Sequence, residues 1–175
     1  KTFCIMEHNE KQSKNDEALL LKKNAEMGNA NLDLRRIYVL TGSVTASASE
    51  AVINCLIPYL TRSNIMVIGE KTIGKRVGSN TFGTREEYDW LLHPITLRIY
   101  NANHEADYAN GFEPDVKIEE LVIGNDLLPF GDTNEMLLSE ALSQISGLKS
   151  LSARAESKGR ILLTPSSLER KQTKG

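Results

Sequence analysis

The chain has 175 residues, 40% of them hydrophobic and 25% charged, with a formal net charge of -2; that is enough apolar material for one soluble domain with a buried core. No run of roughly 18 apolar residues is present, so no membrane-crossing helix is expected, and no short apolar stretch follows a basic start as a signal peptide requires. The near-neutral charge gives no electrostatic case for nucleic acid as a partner, since binding polyphosphate needs a concentrated basic face.

Residues 1–7 (Lys-Thr-Phe-Cys-Ile-Met-Glu) read as a strand whose first partner lies upstream of Lys1, and the polar residues 8–17 read as a connecting loop. Ile37-Tyr38-Val39-Leu40 is a short continuous apolar run, the pattern of a strand buried on both faces. The turn-rich Thr41-Gly42-Ser43-Val44-Thr45 ends it. Over residues 46–60, Ala51, Val52, Cys55, Leu56 and Tyr59 recur at helical spacing, with Thr45 or Ser47 to cap the first turn and Pro58 limiting the end. A second apolar run, Ile65-Met66-Val67-Ile68, stops at Gly69. Strand, helix and strand therefore follow one another as in a βαβ unit, which predicts a parallel pair covered by a helix.

Ile95, Leu97 and Ile99 alternate with Thr96, Arg98 and Tyr100, the period-two signature of a strand with one face on the core. Residues 101–115 make a long irregular connection through Asn101, Asn103, Asn110, Gly111 and Pro114, and seven carboxylates between 105 and 126 make this region acidic. A last amphipathic helix is predicted over residues 135–145, ending at Gly147. Residues 148–175 form a Ser- and Lys-rich tail with a local charge of +5 and only Ile161, Leu162 and Leu163 clustered, which reads as a loosely ordered extension of a domain spanning residues 1–147. Cys4 and Cys55 are too few and too far apart in sequence for a metal cluster or a disulfide framework, and Cys55 reads as an ordinary buried thiol.

The chemistry-bearing segment is Thr45-Ala46-Ser47-Ala48-Ser49-Glu50, placed where a buried strand turns into a helix. A hydroxyl there lies beside unpaired backbone N–H groups and the positive end of the helix dipole, which favour the negative charge of acyl transfer. The Ala48 N–H is the expected oxyanion donor. Serine needs a base to act as a nucleophile, and Lys75 follows the second buried strand in Gly69-Glu70-Lys71-Thr72-Ile73-Gly74-Lys75. Adjacent parallel strands deliver their C-terminal ends to one sheet edge, so the two loops are expected to meet. A pocket that desolvates the Lys75 ammonium favours its neutral form, which can take the Ser47 proton. Gly74 is expected to turn the backbone tightly enough to aim Lys75 inward. Taken singly, these serines read first as small helix-start residues and the lysines as solvated loop charges; it is their combination and context that point to chemistry.

Residues 37–75 resemble the core of the carboxyl-terminal processing peptidases, or tail-specific proteases, in which a Ser-Ala-Ser-Glu helix start and a Gly-Glu-x-Thr-x-Gly-Lys loop carry nucleophile and base. The resemblance assigns the nucleophile to Ser47 rather than Ser49, and the base to Lys75 rather than Lys71. Gly111-Phe112-Glu113-Pro114-Asp115-Val116 and Gly131-Asp132 with the following helix are similar to later family segments, so the likeness covers about residues 1–147. Where many members place a glutamine to orient the lysine, this chain has Ser79. The family's glycine-rich oxyanion loop and peptide-docking module normally precede the strand where this chain starts. The chain is therefore expected to be part of a longer precursor, its oxyanion hole completed by that precursor or by a second copy.

The resemblance implies an α/β fold, crotonase-like, with a mainly parallel sheet flanked by helices and incomplete at its N-terminal side. It also implies serine-type endopeptidase activity on polypeptides without cofactor or metal, in a bacterial envelope or periplasm. Two other readings stand beside it. One is a non-catalytic binding or assembly module that retains the fold. The other is an esterase or amidase using Ser47, His93 and either Asp89 or Asp115, although His93 fits the start of a strand better. His8 and His104 sit in polar segments and are expected to be solvated. His104-Glu105 with Asp107 is too loose for a metal site.

Overall fold

The computed structural model describes residues 1–22, 26, 32–84, 86, 88–120 and 127–147. The predicted tail at 148–175 lies outside the described residues. Those residues hold strands β1 (Thr2–His8), β2 (Glu17–Leu20), β3 (Ile37–Thr41), β4 (Ile65–Gly69), β5 (Val77–Ser79), β6 (Ile95–Tyr100) and β7 (Val116–Lys117). They also hold helices α1 (Ala48–Leu60) and α2 (Met136–Ser146). The class is α/β, as the sequence predicts, with a three-stranded parallel sheet and a four-stranded antiparallel one. None of these helices is long and apolar enough to cross a membrane.

The chain divides into two compact units. The first comprises Lys1–Ile37, Thr45–Ile65 and Ile73–Phe112. Its sheet runs in the order β2-β1-β6-β5. The predicted first strand is present, but residues 8–17 are not a plain loop. A 3-10 turn at Glu10–Asn15 leads into β2, which pairs antiparallel with β1. The partner that the sequence reading placed upstream of Lys1 is thus found downstream. On the other side of β1 lies β6, with Ile5 opposite Tyr100 and His8 opposite Leu97.

Helix α1 starts and ends close to its predicted limits, and Ala51, Ile53, Asn54 and Cys55 are buried. The sequence led us to expect this helix as cover for the parallel pair; within its own unit its contacts run to β1 and β6. Tyr59 Oη donates to the Thr2 carbonyl, and Cys55 Sγ donates to the Tyr100 carbonyl at 3.8 Å. Pro58 lies inside the helix and has no N–H to give the carbonyl four residues back. That carbonyl, Asn54 O, instead accepts from Asn101 Nδ2 at 3.4 Å. Asn54 Nδ2 donates to Glu105 O at 2.8 Å, so the start of the irregular connection after β6 is also tied to the helix.

The second unit comprises, among the described residues, Tyr38–Val44, Met66–Thr72 and residues 113–120 and 127–147. Strand order is β3-β4-β7, with Ile68 beside Val116 in the parallel β4–β7 pair. Asp115 clasps β4 from both sides of its own peptide: Asp115 N donates to Val67 O, and Val67 N donates to Asp115 Oδ2, each at 2.8 Å. Ile68, Leu137 and Ala141 form the core, with Tyr38, Met66, Val116 and Ile118 packed against it. Glu135 caps α2 by accepting from Leu137 N and Leu138 N at 2.8 Å. The predicted stop at Gly147 is present, with φ +71°.

Candidate active site

The loops after β3 and β4 meet, as the parallel pair predicts. In the second unit Glu70 N donates to Thr41 O at 2.8 Å and Thr41 Oγ1 donates to Glu70 O at 2.7 Å. Gly69, at the end of β4, has φ +123°, and a Cβ there would collide with the Thr41 carbonyl oxygen. Only glycine lets the two chain segments approach this closely. In the first unit Ile73 N donates to Thr45 O at 3.0 Å.

Ser47 precedes α1 with φ +58° and ψ -117°. This is a strained conformation for a residue with a side chain, costing about 1–3 kcal/mol, and such strain persists only where the surroundings enforce it. The enforcement is visible. Ser47 O accepts from Ala51 N at 2.8 Å, the first bond of the helix. Ser47 N donates to Glu50 Oε2 at 3.0 Å. Glu50 is fully buried, and its carboxylate also reaches the second loop. Gly74 N donates to Oε1 at 2.6 Å, and Lys75 N donates to Oε2 at 2.8 Å. One carboxylate thus collects three backbone donors from the two loops that carry the candidate nucleophile and base. Buried charge is tolerated where it is hydrogen-bonded in this way.

Gly74 has φ +93°, and a Cβ on it would run into the Ala109 carbonyl oxygen. The glycine turns the chain as the sequence predicts. The orientation expected for Lys75 is not present: its side chain is exposed, and the described residues do not form a desolvating pocket around it. Lys71 differs from Lys75 in its partner, because Lys71 Nζ pairs with Glu113 Oε1 at 2.5 Å.

Ala48 is the first residue of α1, and among the described residues its N–H has no acceptor, as befits the first turn of a helix. Ser79 lies exposed at the end of β5, in register with Ile95. Among the described residues no hydrogen bond joins it to Lys75, so it does not fill the orienting place in this geometry. His93 is exposed and its Nδ1 lies 3.1 Å from Thr81 Oγ1. Asp115 is engaged with β4 as described above. The Ser47, His93 and aspartate arrangement is therefore not assembled within the geometry described for either unit.

His8 is not the solvated side chain expected of it, whereas His104 is exposed but has partners of its own. His8 belongs to β1 and pairs with Asp16, whose Oδ1 lies 2.7 Å from His8 N and 3.3 Å from Nδ1. His104 Nε2 lies 2.5 Å from Glu7 Oε1, and its ring stacks on Tyr100. Both fasten β1 to its surroundings. Tyr108 is buried, and among the described residues its hydroxyl has no hydrogen-bond partner; burial is the chief cause that pushes it up to about 12.

The residue that sequence reading missed is Glu50. Its signal was present as the Ser-x-x-Glu of a capping box, although that motif reveals nothing about the loop at 74–75. In the second unit a cavity of about 550 Å³ is lined by Leu40, Leu127, Leu128, Pro129 and Leu138, with Glu120 at its edge. The Glu120 carboxyl is raised above the ordinary range by burial, then by the nearby Glu135. No group of three or more metal-ligating side chains occurs among the described residues.

The profile of peptidase family S41 matches residues 3–118. Among solved structures, the fold is similar to a protein described as an S41 protease from Bacteroides fragilis NCTC 9343. The TM-score is 0.72 and the identity 33%, over 86% of this chain and 38% of that one. It is also similar to a lipoprotein from Streptococcus agalactiae, with TM-score 0.50 and 15% identity over 84% of this chain and 45% of that one. A photosystem II D1 C-terminal processing protease gives TM-score 0.47 and 19% identity over 80% and 32%. The chain thus spans less than half the length of each of these proteins. No curated protein matches the sequence.

Proposed function

The chain belongs to peptidase family S41, and from that premise we propose that residues 1–147 are the C-terminal part of a serine-type endopeptidase domain in which Ser47 is the nucleophile and Lys75 the general base. The observation that carries this reading is the Glu50 carboxylate, which holds the backbones of Ser47 and Lys75 on a single oxygen. A neutral Lys75 amine takes the Ser47 Oγ proton as the oxygen attacks a peptide carbonyl. The Ala48 N–H, at the positive end of α1, stabilises the oxyanion. Collapse of the tetrahedral intermediate expels the amine, which receives the proton from the Lys75 ammonium. Water, deprotonated by the same lysine, then hydrolyses the acyl-enzyme.

Two parts of this machinery are supplied from beyond the described chain. One is the second oxyanion donor. The other is a cover over the exposed Lys75 amine, because exclusion of water disfavours the ammonium and releases the base form. A longer polypeptide, a second copy or the bound substrate provides them. The substrate is an unstructured polypeptide, engaged near its C-terminus. An envelope or periplasmic location fits the family likeness. Ser79 is the weakest member of the proposed set, having no bond to Lys75.

The exposure of Lys75 favours a second reading, a binding or assembly module that keeps the fold without turnover. Hydrolysis of an unstructured polypeptide by the full-length protein separates the two. The peptidase reading expects hydrolysis that disappears in Ser47→Ala and in Lys75→Ala. The module reading expects peptide binding without cleavage.

A further inference from the structure

We infer that Cys4 and Cys55 form a disulfide site that fastens helix α1 to strand β1. Fifty-one positions separate them in sequence, which hides the pairing, and three separate contacts locate it. Tyr59 Oη donates to the Thr2 carbonyl. Cys55 lies one helical turn before Tyr59, a displacement of about 6 Å; Cys4 lies two strand residues beyond Thr2, a displacement of about 6.6 Å. With Tyr59 at Thr2, Cys55 falls level with Cys4. Cys55 Sγ also points at the Tyr100 carbonyl, and Tyr100 is the cross-strand partner of Ile5, the residue after Cys4. Finally, Asn101 Nδ2 donates to Asn54 O, and extending the antiparallel register by one residue puts Cys4 opposite Asn101. The three contacts place the two cysteines at one point of the helix–sheet interface, and each thiol acts on the ionisation of the other.

Cys4 is 5% exposed and Cys55 fully buried. Burial, the largest influence, raises both thiols, Cys55 to about 12. Thiolate is scarce in the folded chain, so the bond forms while the chain folds, before the helix seals the interface. The oxidant is a small disulfide such as oxidised glutathione. The thiolate of one cysteine attacks a sulfur of that disulfide and expels one thiolate, leaving a mixed disulfide. The second cysteine, losing its proton, attacks the protein-side sulfur and expels the other. Two protein thiols are oxidised, one disulfide is reduced to two thiols, and residues 4–55, with Ser47 and Glu50 among them, become a covalent loop. This site does not depend on the peptidase reading.

The full chain is refolded in a buffer of oxidised and reduced glutathione, unfolded in acid denaturant, and alkylated with a maleimide. The expected result is a protein monomer with no alkylated cysteine and a linked peptide pair containing Cys4 and Cys55, lighter by two hydrogens than the separate peptides. Reductant should then lower its melting midpoint by roughly 5 to 15 °C. Cys4→Ala and Cys55→Ala should lose that sensitivity. Full alkylation after such refolding overturns the proposal, and so does finding the cysteines only as glutathione adducts or as links between chains.

Discussion

Ser47 and Lys75 donate their backbone N–H groups to one and the same oxygen, Glu50 Oε2, at 3.0 and 2.8 Å. Their nitrogens are therefore no farther apart than the sum of those two bonds, although 28 positions separate them in the sequence. A carboxylate that in most helices merely closes the first turn here also fixes the start of a second loop. The strained Ser47 backbone and the tight turn at Gly74 are both held by this group. Its charge matters, since hydrogen bonds to an ionised acceptor are about twice as strong as neutral ones.

Glu50→Gln keeps the shape but removes the charge and one of the two acceptor oxygens. A buried backbone donor is then left unsatisfied, at a cost of about 2–3 kcal/mol in urea unfolding, and Glu50→Ala should cost more. At a temperature where Glu50→Gln remains folded, Ser47 reactivity should still fall at least tenfold, because the loops lose their common anchor. Unchanged reactivity in a fully folded Glu50→Gln protein would show that the carboxylate only supports the fold.

Two glycines with positive φ should respond differently to alanine. At Gly74 the new Cβ meets the Ala109 carbonyl, so backbone must move, and a loss of about 3 kcal/mol or more is expected. At Gly147 the new Cβ meets nothing within 4 Å, and only the conformational cost of about 1 kcal/mol remains. Chemical denaturation of both variants checks the order.

Glu120 binds its proton more tightly in the folded chain than in the unfolded one, since burial and then Glu135 raise it. As pH rises through the ordinary glutamate range and just above it, the unfolded state releases this proton first. Stability attributable to Glu120 therefore falls across that window and stays lower above it. Glu120→Gln should flatten this part of the stability–pH curve and be more stable than wild type at neutral pH. Urea midpoints measured across the acid range test the sign.

Strands β3 and β4 and helix α1 were legible because their signals are local, although only β4 is buried as its apolar run predicts; in β3 Leu40 is exposed and Thr41 alone is buried. Ile37-Tyr38-Val39-Leu40 and Ile65-Met66-Val67-Ile68 are short apolar runs, and Ala51, Cys55 and Tyr59 keep helical spacing between them. The antiparallel sheet was not legible as a whole. Its edge strand β2 is Glu-Ala-Leu-Leu with every residue exposed, and β5 has only three residues, so neither carries a periodic pattern. The candidate site was legible as two motifs but not as a mechanism of assembly. Ser47 and Lys75 follow from strand-turn-helix and strand-turn contexts, while the reach of Glu50 to Gly74 and Lys75 is a tertiary fact that no local spacing encodes. The exposure of Lys75 was likewise hidden, because burial depends on what covers a loop rather than on its own residues.

The pairing of the Ser47 alcohol with the Lys75 amine is tested most directly by the pH dependence of Ser47 labelling with a sulfonyl fluoride on the full-length protein. In the wild type the rate should rise with pH. In Lys75→Ala that rise should disappear and labelling should slow by roughly 100-fold or more, while His93→Ala should match the wild type. Labelling of Lys75→Ala at the wild-type rate and with the wild-type pH profile would contradict the pairing.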